Sequence, residues 1–257
     1  MEKKILKIVK TKNRRPLVCL TAYSKPVAKI LDKYCDIVLV GDSLATAMYG
    51  MKNTHHITLD TMIQHGISVS SNLSKALCVI DMPANTYRTI KEAKKNAKLI
   101  IKKTKCDAVK MECNGKNFKI LESVIKLGIP VMGHIGFTPQ HYKKFNVQGL
   151  LKRDQLKLIH QAKENEKVGV FSIVVECVTP EAAKEITKNL QIPTIGIGAS
   201  IHCDGQILVT DDMLGLSGFY PRFVKKFARL NNIIEKGVQK YNKAVITKKF
   251  PNKKNTF

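Results

Sequence analysis

No stretch of this 257-residue chain stays apolar for anything near the ~20 residues that a bilayer-spanning helix needs, which excludes an α-helical membrane protein. The opening residues, MEKKILKIVK, lack the continuous apolar segment and small-residue cleavage site of a secretion signal, so a soluble, cytoplasmic protein is expected. The seven cysteines (19, 35, 78, 106, 113, 177 and 203) form no Cys-x-x-Cys pair and are odd in number. Most lie inside apolar runs such as "VCL" and "LCVI", where a small buried thiol is the simplest reading; a disulfide framework and a zinc site are both disfavoured. Arginine is scarce as well. Of 44 basic residues only six are arginine, so the net charge of +24 is carried by 38 scattered lysines. Arginine is the residue that reads phosphates and base edges bidentately, and without it the charge argues for solvated helix faces rather than a nucleic-acid partner. A positive field of this size still draws in small anionic ligands.

What the chain does have is a recurring alternation. Apolar, strand-like runs fall at Leu17–Thr21, Ile37–Gly41, Ala76–Asp81, Ala108–Glu112, Val131–His134, Phe171–Glu176, Thr194–Gly198 and Ile207–Thr210. Amphipathic segments lie between most of them. In 89–104, Ala93, Ala97, Ile100 and Ile101 share one stripe. In 179–190, Thr179 reads as an N-cap, with Pro180 at the first helical position and acids in the first turn. Eight strands alternating with helices fit a (β/α)8 TIM barrel, one α/β domain over 1–257 with 252–257 as a mobile tail. An open doubly wound sheet is the alternative, but "LTAYSKP" follows the first strand where a Gly-rich dinucleotide loop would be needed.

In such a barrel the chemistry sits where the strands end. The second strand runs into Asp42-Ser43, the third ends in Asp81, the fifth in His134 and the sixth in Glu176. The fourth carries Lys110 and Glu112, two apart and so on one side. Singly, each has a structural explanation: an aspartate after a strand caps the next helix, and a histidine in "GHIG" is a satisfied core residue. Together they lack one, because acids crowded at the mouth of an apolar barrel repel one another. A hard divalent cation relieves that repulsion, and three carboxylates (Asp42, Asp81, Glu112) without a Cys-His set favour Mg2+.

The same segments resemble the ketopantoate hydroxymethyltransferase family. The matching stretches include "VLVGDSL" (38–44), "DMP" (81–83), "DAVKMEC" (107–113), "GIPVMGHIGFTPQ" (128–140), "IPTIGIGA" (192–199) and "CDGQILV" (203–209). The resemblance runs from about residue 17 to Pro251. It implies a Mg2+-dependent barrel enzyme of pantothenate biosynthesis that transfers a one-carbon unit from 5,10-methylenetetrahydrofolate to a small 2-oxo acid, 3-methyl-2-oxobutanoate. It also implies metal-binding roles for Asp42, Asp81 and Glu112. Ser43 and Lys110 match residues that hold the substrate's carboxylate and keto groups, and Glu176 matches the general base. The aspartates thereby also meet the substrate, and a homo-oligomer, often a decamer, is implied. The chain departs from the family's pattern at Ser24, Ala45, Cys113-Asn114 and Ser200.

The residue chemistry agrees with that reaction. A carbon nucleophile forms from a 2-oxo acid only if a proton leaves the carbon next to the keto group. Lys110 supplies fixed positive charge where the enolate develops, and burial suits Glu176 to act as a base near neutral pH. His134 either orients substrate or metal-bound water, or relays a proton; a binding role is preferred. Two rivals remain: another Mg2+-dependent barrel acting on 2-oxo acids as a lyase, and, from a different class, a basic nucleic-acid-binding module.

Overall fold

The computed structural model describes every residue except Met1, Asn114, Lys143, Lys144 and Phe219, so the departure at Asn114 lies outside the described residues. Helix α1 (Glu2–Val9) precedes β1 (Leu17–Thr21), α2 (Lys25–Leu31), β2 (Ile37–Val40), α3 (Leu44–Ala47), α4 (Leu59–Ser70) and β3 (Leu77–Asp81). Then follow α5 (Ile90–Thr104), β4 (Ala108–Glu112), α6 (Phe118–Ile125), β5 (Val131–Gly136), α7 (Lys152–Val168) and β6 (Ser172–Glu176). The order ends with α8 (Pro180–Lys188), β7 (Thr194–Ile197), β8 (Gly205–Leu208), α9 (Thr210–Leu214) and α10 (Leu230–Ile246). All eight strands pair in parallel with their sequence neighbours, and β1 pairs with β8, which closes the barrel. Residues Met1–Val209 form one compact unit holding all the strands; Thr210–Phe257 form a second.

Strand alternation builds two apolar layers. Leu17, Cys19, Ile37, Leu39, Leu77, Val79, Ala108, Met132 and Val174 fill the barrel interior. Their neighbours Val38, Val40, Cys78, Ile80, Val109 and Ile173 face the helices, where they meet Ala93, Ala97 and Ile100 of α5 and Leu121 and Val124 of α6. Burial on both faces is why these strands read as continuous apolar runs rather than alternating ones.

Two details differ from the sequence reading. The eighth strand starts at Gly205, not Ile207, and Thr210 already opens α9. A Cβ on Gly205 would lie 2.7 Å from Leu17 Cβ, so the tight β1–β8 seam requires a residue that no apolar count detects. Thr179 occupies the N-cap position of α8 without capping it; its hydroxyl donates instead to the Gly149 carbonyl at 3.0 Å.

Helix α1 adds Ile8, Ile5 and Val9 to the interior cluster beside the first residues of the strands. Three cations of this N-terminal segment each reach an aspartate that precedes a strand. Lys4 meets Asp107 at 3.3 Å, Lys12 meets Asp204 at 2.8 Å, and Arg15 forks onto both oxygens of Asp36. Each of those carboxylates also accepts a backbone N–H from the preceding strand: Cys78 to Asp107, Thr194 to Asp204, and Val18 to Asp36. Lys4 and Lys12 are therefore structural rather than merely solvated. All seven cysteines are buried and free. Among the described residues no helix is long and apolar enough to cross a membrane.

Candidate active site

The alternation that fills the barrel also supplies its chemistry. Leu77 and Val79 point inward, so Asp81, two residues on, does too; Ala108 is followed by Lys110 and Glu112, Met132 by His134, and Val174 by Glu176. Parallel register sets these positions side by side, pairing Asp81 with Lys110, Glu112 with His134, and Gly136 with Glu176. Strand β2 contributes differently. Its next inward position is Gly41, and a Cβ there would lie 2.8 Å from Ser43 Oγ and 3.6 Å from Asp81 Oδ2. The glycine leaves room for Asp81, while Asp42 enters from the turn and its N–H donates to Asp81 Oδ2 at 3.0 Å. Gly136 is equally constrained, with φ +92° and a would-be Cβ only 2.3 Å from the Glu176 carbonyl oxygen.

The expected residues therefore converge, and all but Ser43 and Glu176 are buried; those two are partly so. Lys110 Nζ meets Asp81 Oδ1 at 2.7 Å. Burial disfavours that ammonium, yet the carboxylates of Asp81, Asp42 and Glu112 outweigh burial and hold its pKa above the ordinary range. Burial, then the charge of Asp81, raises Asp42 to about 6. Burial, then Asp42, pushes Glu112 well above the usual carboxylate range. Glu176 is raised to about 8 by burial, which Lys110 only partly counters. His134 stands between two acids, with Nε2 3.2 Å from Glu176 Oε2 and Nδ1 3.7 Å from Glu112 Oε1. Burial and then Lys110 drive its pKa well below the ordinary value, so the ring is neutral. Neither ring nitrogen makes a well-aligned hydrogen bond among the described residues. Ser43 Oγ lies 2.9 Å from the Tyr23 hydroxyl.

The expected ligand triad is present as a donor set but not as a ready cage. Among the described residues no three His, Cys, Asp or Glu side chains are arranged to share one ion. Each carboxylate is satisfied by a protein donor instead: Asp81 by Lys110, Asp42 by the Gln140 side-chain amide at 2.8 Å, and Glu112 by the Gln140 N–H and by His141 Nδ1 at 3.0 Å. The oxygen-only chemistry and the raised proton affinities of Asp42 and Glu112 fit a hard divalent cation, which would have to displace those contacts.

Sequence reasoning gave no role to Gln140, His141, Tyr23 or Tyr87. Gln140 bridges two of the acids, and its Oε1 accepts from the Tyr87 hydroxyl at 2.5 Å. The signal lay in "FTPQH", which opens the loop leaving β5; Tyr23 and Tyr87 lie in the loops that follow β1 and β3.

Comparison with known proteins bears on this arrangement. A family model described as ketopantoate hydroxymethyltransferase matches residues 2–253. The chain is 50% identical to the 3-methyl-2-oxobutanoate hydroxymethyltransferase of Pelagibacter ubique (strain HTCC1062), over the full length of both. It is 46% identical to the enzyme of that name from Anaplasma marginale (strain Florida), covering 96% of this chain and 90% of that one. Among solved structures, 2,3-dimethylmalate lyase, a PEP mutase/isocitrate lyase superfamily member, aligns with TM-score 0.59 at 11% identity, covering 99% of this chain and 92% of that one. Phosphonopyruvate hydrolase in complex with oxalate and Mg++ aligns with TM-score 0.59 at 12% identity, covering 98% and 93%. At such identities the structural likeness is one of fold.

Proposed function

Because the chain belongs to the ketopantoate hydroxymethyltransferase family, we propose that it makes 2-dehydropantoate for pantothenate biosynthesis by transferring a one-carbon unit from 5,10-methylenetetrahydrofolate to 3-methyl-2-oxobutanoate. The carrying observation is the rim itself: an acid of raised proton affinity, Glu176 on β6, on the same rim as a buried lysine and paired aspartates. Glu176 in its carboxylate form takes the proton from C3 of the 2-oxo acid. Lys110 faces the negative charge that then builds on the keto oxygen. Neutral His134, 3.2 Å from Glu176 and 3.7 Å from Glu112, binds and orients the substrate beside the base. Asp42, Asp81 and Glu112 would hold a divalent cation, Mg2+ by their all-oxygen chemistry, which when bound supplies Lewis-acid stabilisation of the enolate. The carbanion then bonds to the donor's methylene carbon, whose bonds to nitrogen break in turn. One water supplies the new hydroxyl, and its second hydrogen, with the C3 proton, returns to the two donor nitrogens.

Deuterium exchange at C3 of 3-methyl-2-oxobutanoate tests this directly. Wild-type protein with Mg2+ should exchange, and Glu176→Gln should be slower by roughly 10²–10⁴-fold, the usual value of a positioned base. Unchanged exchange removes Glu176 from its role. Product formation that needs no methylenetetrahydrofolate points instead to a lyase. To the same reading belong a cytoplasmic setting, supported by seven buried free cysteines, and a homo-oligomer, supported by the exposed apolar side chains of α10.

A further inference from the structure

One-carbon transfer needs a second substrate within bonding distance of the first, so a donor site must share a wall with the carboxylate cluster. One cavity does. About 270 Å3 in volume, its lining includes Asn85, Tyr87, Arg88, Ile120, Gln140 and His141. Gln140 and His141 are the two residues that hold Glu112, and Gln140 also holds Asp42. The cavity and the acids are thus two sides of one partition, and Tyr87 fixes the partition by donating to Gln140 Oε1. A second, larger cavity, about 580 Å3, is lined by Lys3, Lys7 and Arg14 on α1 and the turn after it. It lies by the strand starts, at the barrel end opposite the acids, and cannot deliver carbon to them.

The lining fits one kind of ligand. It contains no carboxylate, so it does not repel an anion, and its only formal cation, Arg88, is exposed. The Arg88 guanidinium donates to Asn85 Oδ1 through Nε at 3.2 Å and Nη2 at 2.7 Å, which fixes both side chains. The Asn85 amide nitrogen has no protein partner among the described residues. Ile120 and the buried Tyr87 ring supply apolar lining beside these donors. Amides, an arginine and an apolar wall together suit a polar heteroaromatic ring with an anionic tail, the two halves of a reduced folate. A five-carbon 2-oxo acid would use neither the ring surface nor the volume.

Building on the folate donor proposed above, we infer that the cavity bounded by Asn85, Arg88, Ile120 and the Gln140–His141 partition is the seat of the pterin ring, with Arg88 at the mouth towards the donor's anionic tail. Gln140 then separates the two substrates until both are present, and its side chain must turn aside for the methylene carbon to reach the enolate.

The test measures binding, with tetrahydrofolate as probe. Ile120→Trp fills the cavity from a partly exposed position on α6, and Arg88→Ala removes an exposed cation; circular dichroism checks that both fold. Each should weaken tetrahydrofolate binding at least tenfold in calorimetry, while binding of 3-methyl-2-oxobutanoate, titrated separately, moves less than twofold. If wild type binds tetrahydrofolate and both variants bind it equally well, the assignment of the cavity is overturned while the folate donor stands. The assignment also falls if both ligands weaken in parallel. If wild type binds no tetrahydrofolate and forms product without it, the donor itself is wrong.

Discussion

At the scale of single residues, the site is governed by how burial prices each charge. Glu176 takes up its proton at about 8, against an ordinary value of 4.5, because the carboxylate is desolvated at the rim. The folded protein therefore binds that proton more tightly than the unfolded chain does. The resulting stability is complete below pH 4.5 and is lost as pH rises through about 8. Glu176→Gln, which keeps the shape without the ionisation, should gain stability over wild type as pH rises from 5 to 8. Metal-free thermal melts at the two pH values check this; an equal difference at both would place the titration elsewhere. Gln140 acts without titrating. Gln140→Ala removes the amide from Asp42 and the acceptor from Tyr87 while leaving the backbone N–H on Glu112. It should lower kcat and, if Asp42 and Glu112 hold the cation as proposed above, alter divalent-metal affinity at equilibrium by roughly 10–100-fold, the usual effect of losing a group that orients a ligand.

At the scale of elements, the N-terminal segment holds the lower barrel through cations that meet aspartates. The Lys12–Asp204 pair is the most enclosed, with side chains 8% and 7% exposed, and Lys12 also donates to the Thr187 carbonyl. Lys12→Ala leaves a buried carboxylate uncompensated at a cost of about 3 kcal/mol. For a domain of this size that should lower Tm by roughly 6–12 °C, readable by calorimetry. Asp32, at the end of α2, makes a comparable clasp to the segment before β3, accepting from the backbone N–H groups of Ser74, Lys75 and Ala76 and from the Ser74 hydroxyl. Burial alone would raise its pKa; those donors outweigh burial and hold it at about 2, below the ordinary 3.8. Its contribution is present above pH 3.8 and is lost as pH falls through about 2. Asp32→Asn should therefore destabilise at pH 6 and cease to matter near pH 2, as paired denaturation curves would show.

At the scale of the whole molecule, two features call for partners. Helix α10 has no buried residue, and Ile233, Ile234, Val238, Tyr241, Val245 and Ile246 are all exposed along it. An apolar face of that extent is ordinarily covered, and under the homo-oligomer proposed above a second copy covers it. Val238→Glu combined with Tyr241→Glu should reduce the mass seen by light scattering. An unchanged oligomer would put the interface elsewhere, and a monomeric wild type would end the proposal. The charge of +24 should in turn draw anionic 2-oxo acid towards the protein. KM for the 2-oxo acid should rise as salt shortens the Debye length from ~10 Å at 0.1 M to ~3 Å at 1 M, with kcat less affected.

Seven of the eight strand runs, the helix stripes and the acids that end β3, β4 and β6 were readable along the chain, because each is a feature of near neighbours: an unbroken apolar run, or a local period of two or 3.6 residues. Lys110 and Glu112 share a side for that reason, as do Ala93, Ala97 and Ile100. Three things waited for the tertiary structure. Closure of the barrel set Asp81 beside Lys110 and Glu112 beside His134, through pairing that no single strand encodes. Gln140 and His141 reach Glu112 across 28 and 29 positions of chain, so their part is visible only once the loop has folded back over the rim. The lysines that hold the barrel's base were indistinguishable from solvated ones until Asp107 and Asp204 stood opposite them. Periodicity acts between near neighbours and is written in the chain; charge pairing acts through space and depends on where the fold brings the partner.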